Sequence, residues 1–264
     1  MSASEAIAVM QRFELKYLLS ARQADFLRGR LEGHMLADAY GETDIASLYY
    51  DTPDYRLIRA SVEKPRFKEK LRLRAYGLAT DRSPVFLELK RKYEGVVYKR
   101  RVQTTVPEAE HFLAGAGPLG DGGQIQREIA CFRDRYGPLR PSCLIRYART
   151  AYYEPGSDLR LTLDRNPRWR DRELTLERDL SGRSLLPPGG EILEIKAQGA
   201  MPLWLAETLS EGEIYKGSFS KYGEAYRQIM RENPPELPVP VPARSPARRP
   251  RPAAPGLLRL PGWA

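Results

Sequence analysis

The chain has 264 residues, of which 42% are hydrophobic, and this is enough for one sizeable domain with a buried core. Lysine and arginine number 43 against 34 aspartate and glutamate residues, so the formal net charge is +9. A balance this basic favours an anionic partner such as nucleic acid, a phosphate compound or an acidic membrane face. There are only two cysteines and no long apolar stretch, which argues against a disulfide framework, a zinc site and a membrane span. We therefore expect a soluble, cytoplasmic protein.

The hydrophobic pattern predicts a strand at 12–18, followed by a helix after Ser20, a residue type that commonly caps helix N-termini. A strand at 45–52, a short helix at 53–63 and an alternating strand at 68–77 come next. A hairpin at 85–101 then turns at Glu94 and Gly95. Beyond it, a helix is expected at 123–137, strands at 143–154, 159–166, 173–180 and 191–198, and helices at 201–211 and 218–232. Short links between many of the strands predict an α+β fold with a mostly antiparallel sheet.

The segment that starts at Asn233 holds 10 of the 22 prolines of the chain. Such a composition favours extended, solvated chain. We therefore expect one domain at 1–232 and a disordered, basic tail at 233–264. The tail could contact an anionic membrane or a partner, or it could be a plain solubilising extension, and both interpretations stay open.

The predicted strands separate apolar from charged residues, because residues two apart in a strand share a face. The charged faces carry Arg12, Glu14 and Lys16; Lys70, Arg72 and Arg74; Glu88, Lys90 and Lys92; and Glu194 and Lys196. A solvated face of an antiparallel sheet would also carry charge, and this simple interpretation stays open. Two like charges about 4 Å apart, however, repel by about 4 kcal/mol at an effective dielectric near 20. A concave face lined with lysine and arginine would therefore need an anion to neutralise it.

Familiar enzyme motifs are absent from the sequence: it has no phosphate-binding P-loop, no dinucleotide fingerprint, no zinc-protease helix and no serine nucleophile elbow. His34 and His111 have no cysteine or serine partner nearby, so nucleophilic catalysis is not indicated. Phosphoryl transfer fits better, because its catalysis needs mainly cations and a carboxylate that binds a metal.

Eight segments resemble those of the VTC domain, the polyphosphate polymerase branch of the triphosphate tunnel metalloenzyme (CYTH-like) superfamily. In chain order they are RFELKY, SLYYDTPD, KLRLRAYG, FLELKRKYEGVVYKRR, RYARTAYY, LRLTLD, EILEIK and FSKY, and they span about Arg12 to Arg231. The resemblance implies an antiparallel, eight-stranded β-tunnel with flanking helices. Lysine and arginine side chains would line the tunnel and hold a triphosphate or polyphosphate, and a glutamate would hold Mn²⁺ or Mg²⁺.

The resemblance also implies roles for individual residues. The phosphate-binding set is Lys16, Arg72, Arg74, Lys90, Lys99, Arg149, Arg160 and Lys221. Within it, Lys90 and Arg149 are candidate catalytic residues together with Glu194, which is also the candidate metal ligand. Glu14 and Glu88 are either further carboxylates of the site or salt-bridge partners of nearby basic residues. Tyr147 either lines the tunnel or is an ordinary strand aromatic, and Lys216 departs from the spacing of the family.

One departure separates this chain from the hydrolases of the superfamily, which open with E-x-E-x-K, whereas Arg12 stands here at the first glutamate position. Losing that carboxylate disfavours a two-metal site that activates water. The resemblance therefore implies a polyphosphate polymerase that uses ATP. The sequence has no recognisable nucleic-acid reader motif, so no nucleic-acid partner is expected. Any export of the product would need a separate membrane partner. A triphosphatase on the same fold and a non-catalytic polyphosphate or polyanion-binding module stay open as alternatives.

Overall fold

The computed structural model describes residues 12–63, 65–94, 96–179 and 181–232, and the side chain of Arg12 lies outside this description. The expected tail at 233–264 lies outside it as well. Within the described residues the fold is α+β, as predicted, and every strand pair is antiparallel. The strands are β1 (Arg12–Leu19), β2 (Leu36–Asp51), β3 (Phe67–Tyr76), β4 (Val85–Tyr93), β5 (Val96–Thr104), β6 (Arg140–Tyr153), β7 (Arg160–Arg170), β8 (Arg183–Ser184), β9 (Glu191–Gln198) and β10 (Lys216–Gly217).

The sheet has ten strands in this part of the chain, where eight were expected. Its order is β10-β1-β9-β7-β6-β2-β3-β4-β5, with β8 paired to β7. The difference in number comes from β8 and β10, which are short strands of two residues each. The remaining eight strands are long, and they form the sheet that carries the charged faces.

The sheet curls so that strands far apart in its order meet across its concave side. Five strands separate β1 from β4, and in a flat sheet neighbouring strands about 4.8 Å apart would place these two about 29 Å from each other. Instead, the amine of Lys90 on β4 lies 3.9 Å from the carboxylate of Glu14 on β1. We call this concave side, which carries Glu14, Lys16, Arg72, Lys90 and Glu194, the inner face.

Six helices are described: α1 (Ala21–Leu31), α2 (Arg56–Val62), α3 (Val106–Leu113), α4 (Gln124–Tyr136), α5 (Leu203–Glu211) and α6 (Lys221–Glu232). Ser20 caps α1 as predicted, since its side chain accepts a hydrogen bond from the backbone of Gln23 and the Gln23 side chain bonds back. Helix α3 was missed by the sequence interpretation, although Thr105 and Glu108 form the same reciprocal cap. None of the described helices is long and apolar enough to cross a membrane.

Two of the three hydrophobic clusters lie on the outer side of the sheet, under the helices. Leu71 and Leu87, on β3 and β4, are fully buried and belong to one cluster with residues of α3 and α4. Leu193 on β9 lies in a second cluster with α1 and α5. The third cluster joins Trp169 on β7 to α2 and α6 and includes Tyr49, the register partner of Arg72, so it lies on the inner face. The alternation therefore places Leu71, Leu87 and Leu193 on the outer side and their charged neighbours on the inner face, part of which the third cluster covers.

Two predicted elements differ in the structure. Residues 173–180 were expected to form a strand, but residues 173–179, the part of this segment that the structure describes, form a loop, and Glu173 has a left-handed φ of 47° that interrupts extended backbone. The apolar alternation there serves another purpose, because Leu176 is buried in the core and its carbonyl accepts a hydrogen bond from Ala79. Helix α2 starts at Arg56, later than expected, where the buried carboxylate of Asp51 accepts backbone hydrogen bonds from the first helical turn.

Candidate functional site

The first charged cluster of the inner face joins β1, β9 and β4. The amine of Lys16 lies 3.2 Å from Glu14 and 3.4 Å from Glu194. Lys196 pairs with Glu194, and Lys90 reaches Glu14 from across the sheet. Burial opposes the charge of Glu194, but Lys16 and Lys196 outweigh it and hold the pKa of this carboxyl well below its usual range. Both carboxylates are therefore ionised at neutral pH, between three lysines.

The second cluster surrounds Glu88, a carboxylate on β4 that is only 1% exposed. Arg72 and Lys99 each lie 2.6 Å from its oxygens, and Arg74 lies 3.8 Å away. Burial by itself would raise the pKa of Glu88, yet the adjacent cations lower it to about 2. One buried anion thus fixes the positions of three cations from β3 and β5.

The third cluster surrounds Asp164 on β7, whose side chain is fully buried. Arg149 on β6 donates two hydrogen bonds to it, at 2.5 and 2.8 Å, in the bidentate geometry typical of an arginine and a carboxylate. Lys221, the first residue of α6, donates to the same carboxylate. Burial opposes the ionised form, but the two cations keep the pKa of Asp164 below its ordinary value.

Two tyrosines connect the second and third clusters into one surface. Arg72 donates to the hydroxyl of Tyr49 and Arg74 to the hydroxyl of Tyr147, each at 3.2 Å. The Tyr147 ring also lies beneath two cations, 5.3 Å from the guanidinium of Arg149 and 4.3 Å from the amine of Lys221. Burial raises the pKa of the Tyr147 hydroxyl, but these cations outweigh it and bring that pKa below the ordinary value. The site is therefore one continuous, strongly cationic face.

Comparisons with known proteins identify the family. The model of the VTC domain matches residues 11–230, which is most of the chain. This chain belongs to the VTC domain family. No match was found among curated protein sequences.

Two solved structures share the fold of this VTC domain at low sequence identity. One is a Bacillus halodurans protein described as a candidate adenylate cyclase, with 16% identity, a TM-score of 0.50, and coverage of 78% of this chain and 92% of the other. The second is a Hippeastrum protein described as a candidate adenylyl cyclase with a dominant triphosphatase activity; it has 19% identity, a TM-score of 0.50, and coverage of 83% and 96%. The predicted triphosphate tunnel fold is thereby confirmed.

The VTC domain brings seven of the eight predicted phosphate-binding residues into these clusters: Lys16, Arg72, Arg74, Lys90, Lys99, Arg149 and Lys221. Arg160 lies apart from them. Its guanidinium is exposed and bonds to the backbone carbonyls of Ser157 and Leu159, at the end of β7. The strand register places Lys216 with Tyr17, on the opposite face from Lys16.

Four residues of the inner face were not in the predicted site: Tyr49, Lys70, Asp164 and Lys196. Strand parity already placed Lys70 and Lys196 on the charged faces, but the resemblance assigned neither of them a role in the site. The same rule places Asp164, which follows the segment LRLTL, on the inner face of β7. Its partners, however, depend on how the sheet curls. Glu14 and Glu88, whose role stayed open, both lie in ion pairs.

The carboxylates of this face permit one kind of metal site. No group of three or more histidine, cysteine, aspartate or glutamate side chains within the described residues could hold a metal without help. Glu14 and Glu194, however, converge on the same lysine amine and offer hard oxygen ligands. Mg²⁺ and Mn²⁺ often bind through one or two carboxylates and complete their shells with substrate phosphates and water. The residues therefore fit a metal that arrives with a phosphate ligand.

Proposed function

We propose that this VTC domain is a metal-dependent polyphosphate polymerase that transfers the γ-phosphoryl group of ATP to the end of a phosphate or polyphosphate chain. The observation that supports it is the charge of the inner face. Among the described residues, nine basic side chains lie in or beside the three clusters together with four carboxylates, a formal surplus of five positive charges. Each uncompensated pair of like charges about 4 Å apart costs about 4 kcal/mol at an effective dielectric near 20. A polyanion relieves that repulsion along the whole face.

In the proposed reaction, a terminal phosphate oxygen of the acceptor attacks the γ-phosphorus of ATP. A new phosphorus–oxygen bond forms, the bond to the β,γ-bridging oxygen breaks, and ADP leaves. The attacking oxygen is already anionic, so no side chain has to remove a proton from it. A divalent metal held by Glu194, with Glu14 beside it, would neutralise phosphate charge and orient the reacting groups.

The basic side chains bind and align both phosphate chains. Arg149, held bidentately by Asp164, points a rigid guanidinium at the ligand and stabilises charge on the transferred group. Lys90 lies between the clusters of β1 and β4, where it can contact the phosphate that bridges them. The buried carboxylates keep these cations in place before the substrate arrives, which is the preorganisation that phosphoryl transfer needs.

A triphosphatase is the second candidate, and the activity described for the Hippeastrum protein favours it. Incubation with ATP and Mn²⁺ separates the two: a polymerase gives ADP and long phosphate chains, and a triphosphatase gives only short phosphate products. A domain that binds tripolyphosphate but turns over no ATP would be the non-catalytic module.

Three variants make this assay specific. Glu194→Ala and Lys90→Ala should each abolish chain synthesis or lower it by roughly a hundredfold, the range seen when one electrostatic group of an active site is removed. Lys216→Ala is the matched control, because this lysine is exposed on the opposite face and its loss should leave synthesis unchanged. Normal synthesis by Glu194→Ala would contradict the proposal.

A further inference from the structure

Lys70 is a basic residue of the inner face with an environment unlike that of its neighbours. It lies on β3, two residues before Arg72, and its register partner on β4 is Lys90. Its amine donates a hydrogen bond of 2.9 Å to the hydroxyl of Ser220, just before α6. That hydroxyl also accepts a hydrogen bond from the backbone of Gly223 at 3.2 Å, so it caps the helix. The ammonium therefore has a neutral oxygen as its partner.

The charged groups that act most strongly on Lys70 are all cations. Lys68 and Arg72 stand on its own strand, Lys90 faces it from β4 and Lys16 from β1, while α6 contributes the neutral Ser220. Among the described residues, Lys70 makes no ion pair with a carboxylate, in contrast to Lys16, Lys90 and Lys99. Burial, reinforced by these cations, lowers the pKa of Lys70 to about 7.

This arrangement is costly for the empty protein and favourable for a bound one. Lys70 is half-buried, and a lysine partly withdrawn from water without a counter-charge is destabilising, a cost that an apolar residue of similar length would avoid. An anion on the inner face would supply the missing charge, and the hydrogen bond to Ser220 already holds the amine in one direction.

We propose that Lys70 is a further phosphate-binding residue of the inner face, one whose counter-charge is brought by the ligand itself. The inference rests on the proposed function to the extent that the ligand is a phosphate chain, but it does not depend on catalysis. Because a bound polyanion favours the ammonium form, binding draws a proton onto Lys70 wherever the free amine is neutral. Affinity for triphosphate should consequently fall with rising pH above about 7, by up to about tenfold per pH unit.

Isothermal titration calorimetry with inorganic tripolyphosphate measures this proton directly. Titrations at pH 8, in two metal-free buffers of different ionisation enthalpy, give the number of protons taken up on binding. Two variants of the full chain isolate Lys70. Lys70→Arg keeps a permanent charge, so it should bind within about threefold of the parent protein while taking up about 0.9 fewer protons. Lys70→Met should lose the same proton and bind at least about tenfold more weakly.

At pH 6 the parent protein and Lys70→Arg should take up equal numbers of protons, because Lys70 is then already charged. Equal uptake at pH 8 would overturn the inference even if the domain synthesises polyphosphate. Unequal uptake without any synthesis would leave the inference standing and refute the polymerase. If the parent protein does not bind tripolyphosphate at all, both proposals fall.

Discussion

Replacing Glu88 by glutamine tests how much the buried carboxylates contribute to the stability of the empty domain. The side chain is almost fully buried, and its three cationic neighbours lower its pKa from an ordinary 4.5 to about 2. At about 1.4 kcal/mol per pKa unit, the folded state favours the ionised form by about 3 kcal/mol. Glutamine has the same shape without the charge, so Glu88→Gln should lower the free energy of unfolding by about that amount at pH 7.

The pH dependence of this loss gives the stricter test. A carboxyl whose pKa is lowered by folding stabilises the protein fully above its unfolded pKa, and that contribution disappears as the pH falls toward the folded value. The difference in unfolding free energy between the parent protein and Glu88→Gln should therefore be fully present at pH 7. It should shrink steadily below about pH 4.5, since protonated glutamate resembles glutamine. For a domain of this size, about 3 kcal/mol corresponds to roughly 6–12 °C in melting temperature.

Urea unfolding in phosphate-free buffer measures both quantities. Glu42→Gln is the matched control: Glu42 pairs with Arg165 at 2.7 Å, but its side chain is 47% exposed, so its loss should cost less than about 1 kcal/mol. If Glu88→Gln is as stable as the parent at pH 7, the carboxylate does not hold the cations together. A loss that stays constant down to pH 3.5 would point to shape instead of charge.

Three further substitutions follow from the structure. Asp164→Asn removes the anion shared by two cations; it should destabilise the domain by roughly 3 kcal/mol and weaken tripolyphosphate binding, and an unchanged dissociation constant by calorimetry would contradict this. Ser20→Ala removes a helix cap and should lower the free energy of unfolding by about 1 kcal/mol in urea, without changing the pH profile. Gly182→Ala would place a Cβ atom 2.8 Å from the backbone oxygen of Trp169; we expect a loss of roughly 1–3 kcal/mol, and an unaltered melting temperature would show that the backbone shifts freely.

The sequence predicts the parts of the fold that depend on local pattern. Alternation in β3 and β4 assigned Leu71 and Leu87 to the core and Arg72 and Lys90 to the other face, and the burial agrees. The same rule failed at 173–180, because a loop that packs one leucine into the core has the same alternation as a strand. Period alone cannot distinguish them, whereas the left-handed backbone at Glu173 does.

The partners inside the site could not be predicted, because they depend on how the sheet curls. Asp164 and Lys221 are 57 residues apart in the chain, and only the packing of α6 against the sheet brings them together. Arg160 shows the same dependence: its register partner is Lys196 on the inner face, but its guanidinium donates hydrogen bonds to two nearby carbonyl groups. Pattern thus assigns a face to each residue, and the tertiary structure decides which neighbours it meets.

The inner face draws its residues from almost the entire length of the domain, from Lys16 on β1 to Lys221 at the start of α6. During synthesis, the ribosome must therefore release nearly all of this length before the last cation can reach Asp164. A chain that stops before α6 keeps the buried carboxylate but lacks one of its two partners, and it also lacks Tyr222, which is buried against the ring of Tyr49. Truncated products should consequently be unstable and quickly degraded, instead of persisting as weak phosphate binders.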